Sequence, residues 1–167
     1  MIESTQLALQ QAGAFCAIGF AALGSAYGCG VAAASAIGAW KKCYIQGKMA
    51  PFQLSILTGV PMSQTIYGLI LMPLIISMRI NGKASNPACW ATCLVMGVLG
   101  GIAIALSAAY QGRAAAGACD AFVETSQGFV NYLIVLGIIE TIAIFVMAFA
   151  ILLLGSVGVI PEAAAAM

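Results

Sequence analysis

Apolar residues fill this chain in four long blocks, and polar residues fall mostly between them. The blocks run from about Leu7 to Ala39, Leu54 to Met78, Ala88 to about Ala121, and Gly128 to Gly158. Each exceeds the roughly 20 residues that carry a helix across a bilayer. Four transmembrane helices are therefore expected. The first and third blocks are rich in Gly and Ala, as at Gly24-Ser25-Ala26-Tyr27-Gly28 and at Gly97, Gly100 and Gly101. The second and fourth are bulky, as in LILMPLII and IFVMAFAILLL. Small residues let helix backbones approach closely in lipid. The pattern predicts an inner layer from blocks one and three and a lipid-facing layer from two and four.

Short connections join one to two and three to four, so each pair forms a helical hairpin. The hairpins resemble each other. Tyr110 follows Tyr27 by 83 positions, each before an Ala run, and Glu140-Thr141-Ile142 follows Gln64-Thr65-Ile66 by 76. The shorter second offset implies a shorter connection in the second half. Each half crosses an even number of times, so the repeats are parallel rather than inverted. The expected fold is an all-α membrane protein of four transmembrane helices in two parallel-repeat hairpins. It forms one membrane domain over 1–167, with hairpins at about 5–80 and 86–160.

Composition agrees. Of 167 residues 63% are hydrophobic and 7% charged, with a mean hydropathy of +1.07. Soluble domains carry about 25% charged residues. A net charge of +1 suggests no nucleic-acid partner. The absence of His removes haem ligation, most zinc sites and His-based triads. Six Cys include no CxxC, and Cys89 and Cys93 share a helix face with no other soft ligand, so packing is their expected role. The N-terminus carries Glu3 instead of a basic leader and is expected to be retained. Lys41, Lys42 and Lys48 follow block one, Arg113 stands against Asp120 and Glu124 near the end of block three, and Arg79 and Lys83 follow block two. By the positive-inside rule both hairpin loops face the cytoplasm and both termini lie outside.

Arg113 and Glu140 fall well inside the apolar blocks, and Glu140 stands near mid-membrane. Between Phe129 and Val159 it is the only ionisable residue apart from Tyr132. A carboxylate there costs roughly 2.5–3.5 kcal/mol on insertion scales, which Leu or Gln would avoid. Its expected role is to bind and release a cation or proton. The structural alternative is a carboxylic acid kept protonated as an interhelical hydrogen-bond donor. In block two Val60, Ser63, Gln64 and Tyr67 are spaced at three and four, which puts them on one helix face. Pro61 lacks an N–H and frees a backbone carbonyl one turn back. Gln111 reaches the level of Glu140 only if helix three runs on to about Ala121, as the repeat implies. Arg113 lies about 200° from Gln111 around that helix. It is expected to snorkel to head groups or line a pore.

One carboxylate, two amide oxygens, a hydroxyl and a carbonyl make an all-oxygen shell with a single negative charge. Hard cations suit such a shell, and one charge suits a monovalent ion better than Ca²⁺ or Mg²⁺. A proton site needs fewer acceptors. The residues favour Na⁺, with H⁺ as the alternative.

On these residues the chain resembles the proteolipid ring subunit (K, or c) of V-type ATPases in its four-helix form. Val60-Pro61-Met62-Ser63-Gln64-Thr65-Ile66-Tyr67 with Gln111 and Glu140 is similar to the sodium-translocating bacterial branch. The resemblance implies a Na⁺ site made by the Val60 carbonyl, Ser63, Gln64, Gln111 and Glu140, with Tyr67 closing it. Ser63 stands where that branch usually has Thr. It also implies identical copies in a closed ring, a stator membrane subunit with an Arg, central-stalk subunits, surrounding lipid, and no catalysis by the chain itself. A small Glu-dependent exporter is disfavoured by the second, Gln-bearing hairpin and by few aromatics (8%). A purely structural membrane protein, with Glu140 permanently protonated, stays open. An intramembrane protease is disfavoured by the lack of His and of paired acids. The tail, PEAAAAM, would be a free end or a plug for the ring.

Overall fold

The computed structural model describes residues 2–80 and 89–157. Lys83, Ala88, Gly158 and the tail from Pro161 lie outside these residues, as does the side chain of Arg79. Helix α1 spans Ile2–Ile45, α2 Gln53–Gly59 and α3 Ser63–Ile80, with a 3₁₀ turn at Val60–Met62 between the last two. Helix α4 spans Cys89–Thr125 and α5 Phe129–Val157. The protein is an all-helical membrane protein, and its described residues hold four segments long and apolar enough to span, the second being α2, the turn and α3 together.

The inner helices overrun the membrane. Helix α1 has 44 residues and α4 has 37, so they rise about 66 and 55 Å against a hydrocarbon core of about 30 Å. At the hairpin end Lys42 pairs with Asp120 at 3.0 Å and approaches Glu124 at 3.9 Å, tying α1 to α4. The first connection, Gln46–Phe52, is held by Trp40 Nε1 donating to the Pro51 carbonyl at 2.9 Å. The second, Ser126–Gly128, is shorter and turns through positive φ at Ser126 (55°) and Gly128 (82°). The difference in repeat offset is thus shared between a longer first loop and an α1 that runs further past Tyr27 than α4 runs past Tyr110.

Helices α1 and α4 pack most intimately, with α3 laid against α1 and α5 against α4. The α1–α4 approach depends on missing side chains. A Cβ added at Gly13 would lie 2.6 Å from the Cys93 carbonyl, and one at Gly112 would run into the backbone of Gly28. Ser35 Oγ crosses the same seam to the Ala116 carbonyl at 2.8 Å. Helix α5 instead leaves Ile134, Ile138, Ile142, Phe145 and Phe149 exposed, as a lipid-facing helix does. All six Cys are free, and Cys89 and Cys93 sit buried with sulfurs 3.9 Å apart.

Burial falls into two apolar clusters along the bundle. One gathers Ala14, Ala21, Leu71, Ile75, Cys93, Ile104 and Ala143. The other gathers Ala32, Ala36, Leu54, Leu57, Ala115, Cys119 and Leu136. Between them in sequence, on all four spans, fall Ser25, Gln64, Ser107, Gln111 and Glu140.

Candidate functional site

Gln64 and Glu140 each stand eleven residues past the first residue of their hairpin's return segment, Gln53 and Phe129 respectively. The repeat therefore places amide and carboxylate at one level, and α4 brings Gln111 to it. Gln64 and Gln111 are both fully buried. Buried amides require partners, and these find each other: Gln64 Nε2 donates to Gln111 Oε1 at 2.7 Å. Gln111 Nε2 in turn donates to the Leu136 carbonyl at 2.9 Å and lies 3.4 Å from Glu140 Oε2. The other carboxyl oxygen, Oε1, accepts from the Tyr67 hydroxyl at 2.5 Å. Ser63 Oγ lies 3.2 Å from Gln64 Oε1 and 3.1 Å from the Val60 carbonyl.

One chain of polar contacts thus joins Val60, Ser63, Gln64, Gln111, Glu140 and Tyr67. Pro61 explains the local backbone. Lacking an N–H, it shortens the helix into the 3₁₀ turn at Val60–Met62 and aims the Val60 carbonyl along the same face. That carbonyl is not free, as it also accepts the Ser63 N–H. The turn closes on itself there, so a cation at Val60 would share the oxygen with Ser63. A hydroxyl donating to a carbonyl keeps its own lone pairs, so Ser63 still presents an acceptor.

Two contributors leave little trace in the sequence. The Leu136 carbonyl fixes the Gln111 amide so that its oxygen points away from α5 and toward Gln64. Ser107 Oγ donates to the Ile139 carbonyl at 3.0 Å, tying α4 to α5 beside Glu140. Backbone acceptors have no residue signature, and a serine in a Gly/Ala-rich helix reads as packing.

Arg113 stands apart from this network. It is exposed, its Nη2 donates to the Tyr27 hydroxyl at 3.1 Å, and its guanidinium lies 5.8 and 5.6 Å from the ring centres of Tyr27 and Tyr110. The two rings, one from each inner helix, hold the cation by their π faces. Among the described residues no group of three His, Cys, Asp or Glu side chains could hold a metal. The polar level therefore offers one carboxylate with neutral oxygens, which is weak for divalent ions and suitable for a monovalent one.

Residues 94–153, the greater part of α4 and α5, match the family model for the C subunit of ATP synthase. No curated protein matches the chain.

Proposed function

We propose that the chain is a four-helix ring subunit related to the ATP synthase C subunit, working in a V-type rotary ATPase and carrying Na⁺ across the membrane on Glu140. The family match over α4 and α5 supports the coarser part, an ion-translocating, non-catalytic membrane subunit of a rotor ring. The convergence of the Ser63, Gln64, Gln111 and Glu140 side chains at one level, from three spans, supports the finer part. Na⁺ is the cargo, and the Val60 carbonyl completes its shell.

The mechanism follows from the cost of charge in lipid. A bare carboxylate facing hydrocarbon is unfavourable, so Glu140 travels with its ion bound and Tyr67 closed over it. At a stator subunit, an Arg and local water offer the carboxylate another partner, and the ion exchanges. Rotation driven by ATP hydrolysis elsewhere in the complex then delivers the ion. Moving one charge against 100 mV costs about 2.3 kcal/mol. One carboxylate per four helices gives fewer ions per turn and favours steep gradients. Identical copies close the ring, α1 and α4 inside and α3 and α5 against lipid. Central-stalk subunits meet the hairpin loops on the cytoplasmic side of a bacterial cell membrane.

The test is carbodiimide modification of Glu140 in the purified protein, with and without NaCl across pH. Protection by millimolar Na⁺ but not K⁺ is the expected result. Labelling that titrates with pH and ignores Na⁺ makes this a proton ring. No labelling at any pH leaves a structural role.

A further inference from the structure

The amide pair contains a mismatch with the proposed cargo. Gln64 presents its nitrogen, not its oxygen, to Gln111 Oε1. Two facing amides must meet N–H to O, whereas a cation between them needs both oxygens. Gln111 is already fixed in the oxygen-inward sense, since its nitrogen is held by Leu136 and lies beside Glu140. Gln64 is therefore the side chain that must turn. Turned over, its nitrogen carries two hydrogens into a fully buried place and needs acceptors there. Ser63 lies 3.2 Å away, but its proton goes to Val60 and a lone pair to the cation. One N–H remains to be matched.

Helix α1 supplies a candidate acceptor. Ser25 is 4% exposed, and its Oγ is a buried polar side-chain atom without a hydrogen-bond partner. Such orphans are rare and call for an explanation. The register of α1 against the second span gives its level. A Cβ on Gly68 would lie 2.7 Å from Ala21 Cβ, and one on Gly28 would lie 3.0 Å from Pro61 Cβ. The antiparallel register thus pairs position 21 with 68 and 28 with 61. Four residues on from Ala21 is Ser25, and four back from Gly68 is Gln64. Ser25 also shares the inward face of Ala21 and Gly28, by its spacing of four and three. The repeat puts Ala108 at its counterpart position, and the neighbouring Ser107 has its acceptor in Ile139.

We infer that Ser25 is a positioning residue for Gln64: its hydroxyl accepts the Gln64 amide N–H, directly or through one water, when Gln64 turns its oxygen to the bound cation. This rests on the sodium reading of Glu140. In that role Ser25 does for Gln64 what the Leu136 carbonyl does for Gln111. It affects Na⁺ and leaves the proton alone, because protonated Glu140 needs no oxygen from Gln64.

The experiment measures the NaCl concentration that half-protects Glu140 from carbodiimide in the full-length protein, and the pH midpoint of labelling without Na⁺. Ser25→Ala should raise the half-protecting Na⁺ about three- to tenfold, the worth of one buried neutral hydrogen bond, and leave the pH midpoint in place. Ser25→Gly should behave like Ser25→Ala, and Ser25→Thr should restore wild-type protection. On a Gln64→Ala background, Ser25→Ala should add nothing. Unchanged protection in Ser25→Ala, equal shifts in Na⁺ and pH behaviour, or additive losses with Gln64→Ala would overturn the assignment while the sodium reading stands. A wild-type protein that Na⁺ does not protect would overturn both.

Discussion

Tyr67 and Glu140 face each other from the second and fourth spans, hydroxyl to carboxylate oxygen, 2.5 Å apart. The bond closes the polar level on the side of α3 and α5. A hydrogen bond to a charged group is worth about 1.5–3 kcal/mol. Tyr67→Phe should therefore weaken Na⁺ protection roughly 10- to 150-fold and speed carbodiimide labelling at fixed pH. Protection and labelling rates equal to wild type would remove Tyr67 from the site.

Glu140→Gln removes the only carboxylate at the polar level among the described residues. The variant should take up no label and should abolish ATP-driven Na⁺ uptake by vesicles bearing the whole complex, to below about 1% of wild type. A charge-free site cannot neutralise the cation it carries. Uptake persisting in this variant would move the ion path elsewhere.

On the proposed sodium reading, Na⁺ and H⁺ compete for one carboxylate, which fixes the sign of the expected pH dependence. Labelling requires the protonated acid, so it falls as pH rises. Na⁺ favours the ionised form and moves the midpoint to lower pH. With one ion per site, each tenfold rise in saturating Na⁺ should lower that midpoint by about one pH unit, since both correspond to about 1.4 kcal/mol. A midpoint that stays fixed across NaCl concentrations would exclude competition at Glu140.

Where the side chains meet was legible to different depths. Glu140 announced itself, because a carboxylate in an uncharged apolar run has few inexpensive explanations. Gln64 followed from the repeat, and Gln111 from running helix three to the length of helix one. Helix periodicity alone set Arg113 aside, but its partner Tyr27 needed the α1–α4 register, which no single segment contains. Pro61 was expected to free a carbonyl one turn back; around it the helix tightens into a 3₁₀ turn whose Val60 carbonyl accepts from Ser63. Helix ends were the least readable: α1 begins at Ile2 and ends at Ile45, beyond the apolar block, since its last turns stand on partners in α4 and the first loop rather than on lipid.

Gly112 faces the backbone of Gly28 with no room for a Cβ between them. Gly112→Val should separate α1 from α4 and destabilise the bundle by at least the roughly 1–3 kcal/mol of ordinary overpacking. Circular dichroism melting in detergent should register a clear drop in midpoint. A melt like that of wild type would mean that α1 and α4 are not in contact at this point.

Arg113→Gln should leave Na⁺ protection of Glu140 unchanged, because the guanidinium engages Tyr27 and Tyr110 on the opposite side of α4. A changed half-protecting concentration would link it to the site.

The four spans are unequal in how readily they enter a bilayer. The last has a mean hydropathy of 2.6, the second only 1.5 with a proline in its first half. At the translocon, the many Leu, Ile, Val and Phe side chains of α5, each worth about −0.3 to −0.6 kcal/mol, outweigh the penalty of one acid. The second span has far less surplus. The carboxylate thus stands on the span whose apolar surplus offsets it best, and the amide on a span with less. Exchanging them would put the charge on a span with a smaller apolar surplus and make that span's insertion less favourable.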